Sequence, residues 1–324
     1  MKKNRQHYSG IGGQAVLEGV MMKNSNMYAV SVRKPDHEIE TEVDEYHGVL
    51  ENTIWTRIPF VRGIFVFIDS LVLGMKSLNY STQFYEDENE EPSKFDKALD
   101  RISGGRGDKI IEVITMIIAF ALALLLFVAL PLFVTDKLKI WIRNASLIAI
   151  IEGALRLVIF LVYIAAITAM KDIHRLYQYH GAEHKCINCL EHGKVLTVKN
   201  AKRSSRFHKR CGSSFLLIVV LVSIVLFFFI RVDSNVLRLL LRIVLIPVIA
   251  GISYEIIRIA GRSDNPVISA ISAPGLWLQR LTTKEPDEEM LEVAIASVEA
   301  VFDWKKYLKD DFGYSDEDIK EDME

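Results

Sequence analysis

Little in this chain suggests export, disulfide stapling or nucleic acid. Its 324 residues include three cysteines, an odd number, clustered at Cys186, Cys189 and Cys211. A secreted disulfide framework uses even, spread cysteines. Lysine plus arginine (39) nearly cancel aspartate plus glutamate (41), leaving a formal charge of -2. Without a basic excess no nucleic-acid partner is expected. Met1–Gly10 is polar with no apolar core behind it, so no signal peptide is expected. Ile11-Gly-Gly13 is too short for a dinucleotide loop. No repeat is visible, which argues against a transporter built from two related halves.

Apolar sequence is what the chain has in abundance. Hydrophobic residues make up 50% beside 25% charged residues, so the apolar ones must be concentrated. Four runs, Ile110–Val134, Leu147–Met170, Ser214–Ile230 and Val236–Ala260, approach the roughly 20 residues that cross a bilayer core. Helices buried in a soluble core are the competing use. That use fits the first run, where only Glu112 is charged, and the third, uncharged from Phe215 to Ile230, poorly. The expected fold is an α-helical multi-pass membrane protein with four transmembrane helices, a small β-rich N-terminal segment and amphipathic helices.

Orientation follows from basic residues in the connecting loops. Residues 171–213 hold ten lysines and arginines, 135–146 three and 231–235 one. The large loop is therefore expected in the cytoplasm. Four crossings put both termini there too, and the cysteines on the reducing side. Positive-inside bias and attraction to anionic headgroups account for the loop's charge.

Outside the spans, Ala15–Met22, Met27–Arg33 and Glu38–Val43 read as short strands separated by turn residues, within a cytoplasmic segment 1–50. Residues 51–85 contain the apolar stretch Ile58–Met75, interrupted by Arg62, Gly63 and Asp69. It reads as an interfacial helix, with a re-entrant segment as its rival. Residues 86–109 form an acidic linker (Glu86–Pro92) ending in a glycine-rich break (Ser103–Gly107). Ser263-Asp-Asn-Pro266 and Ala273-Pro-Gly275 mark a loop opening the cytoplasmic tail 261–324. Leu291, Ala294, Ile295, Val298, Val301 and Phe302 then give one apolar helix face, for packing.

Chemistry concentrates in His180-Gly-Ala-Glu183-His184-Lys-Cys186 and His208-Lys-Arg-Cys211. The order His-x-x-Glu-His sets two imidazoles one helical turn apart with a carboxylate beside them. Three uses compete. In the first, His180 and His184 hold zinc, Glu183 takes a proton from water, and His208 or Cys211 completes the ligands of a hydrolase. In the second, Cys186-x2-Cys189, eighteen residues, then His208-x2-Cys211 form a closed zinc knuckle. In the third, no metal is bound and these residues pack or hydrogen-bond.

Inside the apolar runs, Glu152 and Arg156 are spaced for a helical ion pair. Arg242 lies at similar depth, within reach of Glu152. Glu255, near the end of the fourth run, is a candidate ligand or an acceptor supporting one, level with His174 and His180. Ionisable residues at membrane depth are functional candidates by default.

Gly12-Gly-Gln-Ala-Val-Leu-Glu-Gly-Val-Met-Met22, Tyr28–Pro35, Tyr179-His-Gly-Ala-Glu-His-Lys185, His208-Lys-Arg-Cys-Gly212 and Gly275-Leu-Trp-Leu-Gln-Arg280 together resemble the YqhQ-like bacterial membrane proteins. That family of unknown function is sometimes labelled as metal-dependent enzymes. The resemblance covers most of the chain and departs at Lys209, where the family has proline. It implies a multi-pass plasma-membrane protein. The family does not consistently keep cysteine at 186 and 189, which tilts against the knuckle and leaves His180, Glu183, His184, His208 and Cys211. It also brings in Glu18, whose competing role is a solvent-facing strand residue. A non-catalytic accessory protein is the second functional class. It would bind another membrane complex, for instance in protein insertion or quality control.

Overall fold

The structure is a computed structural model; it describes residues 6–50, 53–85, 107–230, 232, 234–261 and 265–323. The acidic stretch Glu86–Pro92 and the break at Ser103–Arg106 lie outside them. In chain order come four strands, β1 (Gly12–Val16), β2 (Gly19–Asn24), β3 (Met27–Arg33) and β4 (Ile39–Glu45), then helix α1 (Val61–Thr82). Helix α2 (Gly107–Leu124) runs through a π turn into α3 (Leu130–Leu138), followed by α4 (Ala145–Thr168), α5 (Lys171–Glu191) and the short α6 (Val198–Lys202). Then come α7 (Gly212–Phe228), α8 (Asn235–Val244), α9 (Ile246–Ala260), α10 (Pro266–Thr282) and α11 (Glu288–Val301). The short α12 (Trp304–Tyr307) and α13 (Asp316–Met323) end the chain.

The chain divides into two compact units. The first comprises residues 1–85, 164–219 and 247–324. Its centre is an antiparallel meander in the order β1-β2-β3-β4. The single strand expected over Ala15–Met22 is a hairpin, with Val16 paired to Gly19. Glu18 makes the turn with φ +49°, a left-handed conformation that residues other than glycine adopt uncommonly. Gly19 follows because a Cβ there would stand 2.4 Å from the Ser31 carbonyl.

Strand alternation then gives both sheet faces a partner. Val20 and Met22 join Ala182, Ile187, Leu190, Leu291, Ala294 and Val298 in the main core, under α5 and α11. Met21, Tyr28, Val30 and Val32 face the other way with Leu73 of α1. Burying one such aliphatic side chain stabilises by about 1.5–3 kcal/mol. Helix α11 is the amphipathic helix expected in the tail, capped by Asp287 accepting from the Met290 amide at 2.8 Å.

The segment 171–213, read as a loop, is mostly the long helix α5 and α6. The last turns of α5, Gly181–Glu191, are wholly buried despite carrying Glu183, His184, Lys185, Asn188 and Glu191. Likewise, Ala273-Pro-Gly275 is no loop: Pro274 sits inside α10. Its missing amide costs one helical bond, while Gly275 packs close on Ser214.

The second unit holds residues 86–163 and 220–246. Residues 107–109, assigned to the linker, open α2. Among the described residues, two helical stretches, Val113–Leu138 and Ala145–Thr168, are each long and apolar enough to cross a membrane. The first exposes Ile117, Phe120, Leu122 and Leu125 by about 60% each, the surface a lipid-facing helix presents. The other two expected spans differ from straight crossings. The 17 residues of α7 rise only about 25 Å, short of a hydrocarbon core of roughly 30 Å. The pair α8 and α9 bends by 41° just before Pro247, which lacks an amide donor and crowds the carbonyl four residues back. Among the described residues, two to three helices are thus long and apolar enough to cross a membrane.

Gly181 is the tightest approach in the first unit. A Cβ there would lie 2.0 Å from the Lys284 carbonyl oxygen, whose own amide bonds Tyr177 O at 2.8 Å. Gly181→Ala is expected to cost about 3 kcal/mol, read as a lower thermal midpoint in detergent. Gly12→Ala, where a Cβ meets nothing within 4 Å, should be nearly neutral.

Candidate metal centre

The buried polar face of α5 has a specific job. Residues 203–211 form little regular structure, so their carbonyls need donors. Lys185 Nζ donates to Lys202 O at 2.9 Å and Ser204 O at 3.0 Å. Asn188 Nδ2 donates to Ser205 O at 2.7 Å and Phe207 O at 3.0 Å. His184 Nδ1 donates to Arg206 O at 2.6 Å. From the other side Gln279 of α10 clamps one residue: it accepts from the His208 amide at 2.8 Å and donates to the His208 carbonyl at 2.7 Å. The strand-like segment so held delivers Cys211 to α5.

His180, one turn before His184, donates from Nδ1 to Thr282 O at 2.8 Å. Carbonyl oxygens only accept, so each ring keeps a proton on Nδ1, and in its neutral form the lone pair lies on Nε2. His180 Nε2 lies 3.1 Å from Cys211 Sγ, and the two imidazoles meet edge-on with centroids 4.4 Å apart. One ligand atom each from His180, His184 and Cys211 falls within 4.8 Å of the others. Ser213 Oγ is a further neighbour of Cys211 Sγ, at 3.0 Å. Burial favours the neutral thiol, yet the two imidazoles hold Cys211 well below the ordinary thiol range. Burial also disfavours charge on His180, but the Cys211 sulfur outweighs it and lifts the imidazole to about 9.

Glu183 is 5% exposed and outside the three-ligand group. Burial pushes its carboxyl up, against the pull of His180 and His184. Strand β1 closes over it: a Cβ on Gly13 would stand 2.8 Å from Glu183 Cγ.

The other candidates go elsewhere. His208 turns Nε2 to Glu191 Oε2 at 3.3 Å and is not among the three. Cys186 and Cys189 belong to the apolar core, where burial pushes Cys189 up to about 11. The four knuckle residues are therefore not brought together. Glu255 is taken by Arg62, through Nε at 2.6 Å and Nη2 at 2.5 Å, and by the Phe60 amide at 3.2 Å. It supports α1 and no histidine. Glu18 does not face solvent: it pairs with Arg175, whose Nη2 is 2.6 Å away, and accepts from Tyr179 at 3.2 Å. Glu152, Arg156 and Arg242 form one buried ionic group, Glu152 accepting from Arg156 at 2.8 Å and Arg242 at 2.9 Å.

Sequence reasoning missed Glu191, Gln279 and Thr282. Glu191 accepts from Ser9 Oγ at 2.9 Å, the Ser9 amide at 3.1 Å and Gln6 at 3.1 Å, and pairs with His208 and Arg210. Burial works against its charge, but His208, Arg210 and the Ser9 amide outweigh that and hold the carboxyl down at about 2. A depressed carboxylate stabilises the fold above its ordinary value of 4.5, and the contribution fades as pH falls from there toward about 2. Glu191→Gln should therefore lose about 3 kcal/mol near neutral pH. Its thermal midpoint should converge on wild type as the solution is acidified through that window.

The profile of a family described as "Protein of unknown function (DUF1385)" matches residues 58–304. The chain is also 36% identical over 289 residues to the "Uncharacterized protein YqhQ" of Bacillus subtilis (strain 168), covering 88% of this chain and 90% of that one. No solved structure matches significantly. The matched region contains α5, Cys211 and Gln279, and over that length the chain belongs to the DUF1385 family.

Proposed function

We propose that the chain is a membrane-associated, metal-dependent hydrolase, with the metal held by His180, His184 and Cys211. The observation that carries this is the paired anchoring of the rings: each Nδ1 is committed to a backbone carbonyl, and the third donor sits opposite them within 4.8 Å. Metal-ligating histidines are oriented in this way. Tetrahedral zinc, with bonds of about 2.0–2.1 Å to nitrogen and 2.3 Å to sulfur, sets ligand atoms roughly 3.3–3.6 Å apart. Small side-chain shifts supply that spacing, and two imidazoles with one thiolate suit zinc. When bound, zinc would supply a Lewis acid and lower the pKa of water. Glu183, buried and outside the ligand group, is placed to accept a proton beside His180 and His184. Gly13 leaves it the space to do so.

A metal-free thiol hydrolase is the second reading, favoured by the 3.1 Å contact of Cys211 with His180. Cys211 is only 4% exposed, which suits a ligand better than a nucleophile. Metal content of the detergent-purified chain separates the two. About one zinc per chain is expected, retained in Cys189→Ser and Glu183→Gln and lost in His184→Ala and Cys211→Ala. Sub-stoichiometric metal in wild type, with Cys211 alkylated by iodoacetamide, would overturn the metal reading. Glu183→Gln should lower turnover about 100-fold or more once a substrate is found.

The same reading places the basic segment on the cytoplasmic side of a bacterial plasma membrane. The three native cysteines are buried, so engineered ones report cleanly. Trp141→Cys, at a position 82% exposed, should react with an impermeant maleimide in intact cells. Lys199→Cys should react only after lysis. Labelling of both from the same side would refute a crossing between them.

A further inference from the structure

The second unit contains a cavity of about 640 Å³ that owes nothing to the metal centre. It lies where α3 ends and α4 begins, beside the end of α7 and the start of α8. Its ionisable lining is Lys139, Arg143, Glu152, Arg156, Arg238 and Arg242, five cations to one carboxylate. Its remaining wall is apolar, including Ile148 and Ile224.

Two of these cations lie deep. Arg156 is 3% and Arg242 2% exposed, and both stack on the Phe227 ring, at 4.8 and 5.0 Å from its centroid. Gly153 allows that arrangement, since a Cβ there would strike Ile224 of α7 at 2.6 Å. Arg156 is satisfied: Nε donates to Phe127 O at 2.9 Å and Nη2 to Glu152. Arg242 is not. Its Nη2 donates to Glu152 Oε2. Its Nη1 pairs with Oε1 at 2.5 Å, and among the described residues Nε has no hydrogen-bond acceptor. One carboxylate is thus shared by two buried guanidiniums, leaving a net positive charge in the cavity wall. Toward the rim, Lys139 pairs with Asp136 at 2.7 Å and Arg238 donates to Val232 O at 2.6 Å. Arg143 is exposed.

A buried guanidinium without a full set of acceptors is unfavourable unless an anion completes it. Arginine's planar fork matches the oxygens of a phosphate. The volume is within the range of small-molecule sites, and the apolar wall suits carbon chains attached to the anion. We propose that this cavity binds the phosphate group of an amphiphilic phosphoester, with Arg242 as its innermost donor and Arg143 at its mouth. A membrane phospholipid and a soluble phosphate share that chemistry, and the experiment distinguishes them.

Full-length chain in an uncharged detergent is titrated with phosphatidylglycerol, with phosphatidylcholine and with inorganic phosphate. Binding is read by native mass spectrometry and by the thermal midpoint. Saturable binding of phosphatidylglycerol over phosphatidylcholine, with none of inorganic phosphate, assigns a lipid ligand. Saturable binding of inorganic phosphate assigns a soluble one. Arg143→Gln, at the surface, should weaken binding by about tenfold or more. The double change Glu152→Gln with Arg242→Gln, which keeps the net charge, should abolish it. No saturable binding by wild type would overturn the proposal. So would binding by Arg143→Gln and a folded double variant equal to wild type.

Discussion

The arrangement of the His180, His184 and Cys211 cluster depends on the hydrogen bonds that the polar face of α5 gives to a neighbouring stretch of backbone. Residues 203–211 have few secondary-structure partners of their own. His184, Lys185 and Asn188, within about one turn of one helix, reach five of the carbonyls between Lys202 and Phe207. Buried polar groups are costly unless satisfied, and here donor and acceptor satisfy each other. A helix that would otherwise be too polar to bury becomes the spine of the core.

That constraint explains the chemistry of the cluster. His184 does two things at once: Nδ1 holds the segment, and the same bond fixes the tautomer that turns Nε2 toward Cys211. His180 repeats the arrangement against Thr282. Because Gln279 grips His208 through both backbone groups, the path from there to Cys211 is short and fixed. The ligand group is therefore assembled by three elements, α5, the strapped segment and the end of α10, none of which contributes it alone.

The one-turn pairing of His180 and His184 was legible, because helical spacing is a local property. So were the meander beyond its first hairpin and the apolar face of α11. The hairpin was hidden because β2 is buried on both faces and reads as a continuation of β1, and only the left-handed Glu18 before Gly19 marks the turn. The assignment of His208 could not be read. Spacing puts it with Cys211, but Glu191, which takes its Nε2, looks like any helix-end carboxylate. Lys185, Asn188 and Gln279 were invisible as positioning residues for a related reason. Their partners are backbone carbonyls and amides, which every residue has. Pro274 gave the wrong signal: tertiary packing of α10 through Gly275 outweighs one missing amide.

Two buried carboxylates show how burial alone fails to identify a site. Glu191 and Glu152 are 1% and 5% exposed, and each meets two basic side chains. Around Glu191 the donors come from the amide and hydroxyl of Ser9, from Gln6, His208 and Arg210, so the carboxylate's capacity is filled and its partners are spread across the chain. Such a group fixes the N-terminal segment and has nothing left to offer a ligand. Around Glu152 the balance is reversed. The carboxylate is satisfied, but the guanidinium opposite it is not, and the excess is positive and faces a cavity. A buried ion pair stabilises only when both members complete their hydrogen bonds. What remains unpaired at Arg242, rather than the presence of charge, is what separates a recognition site from a structural staple.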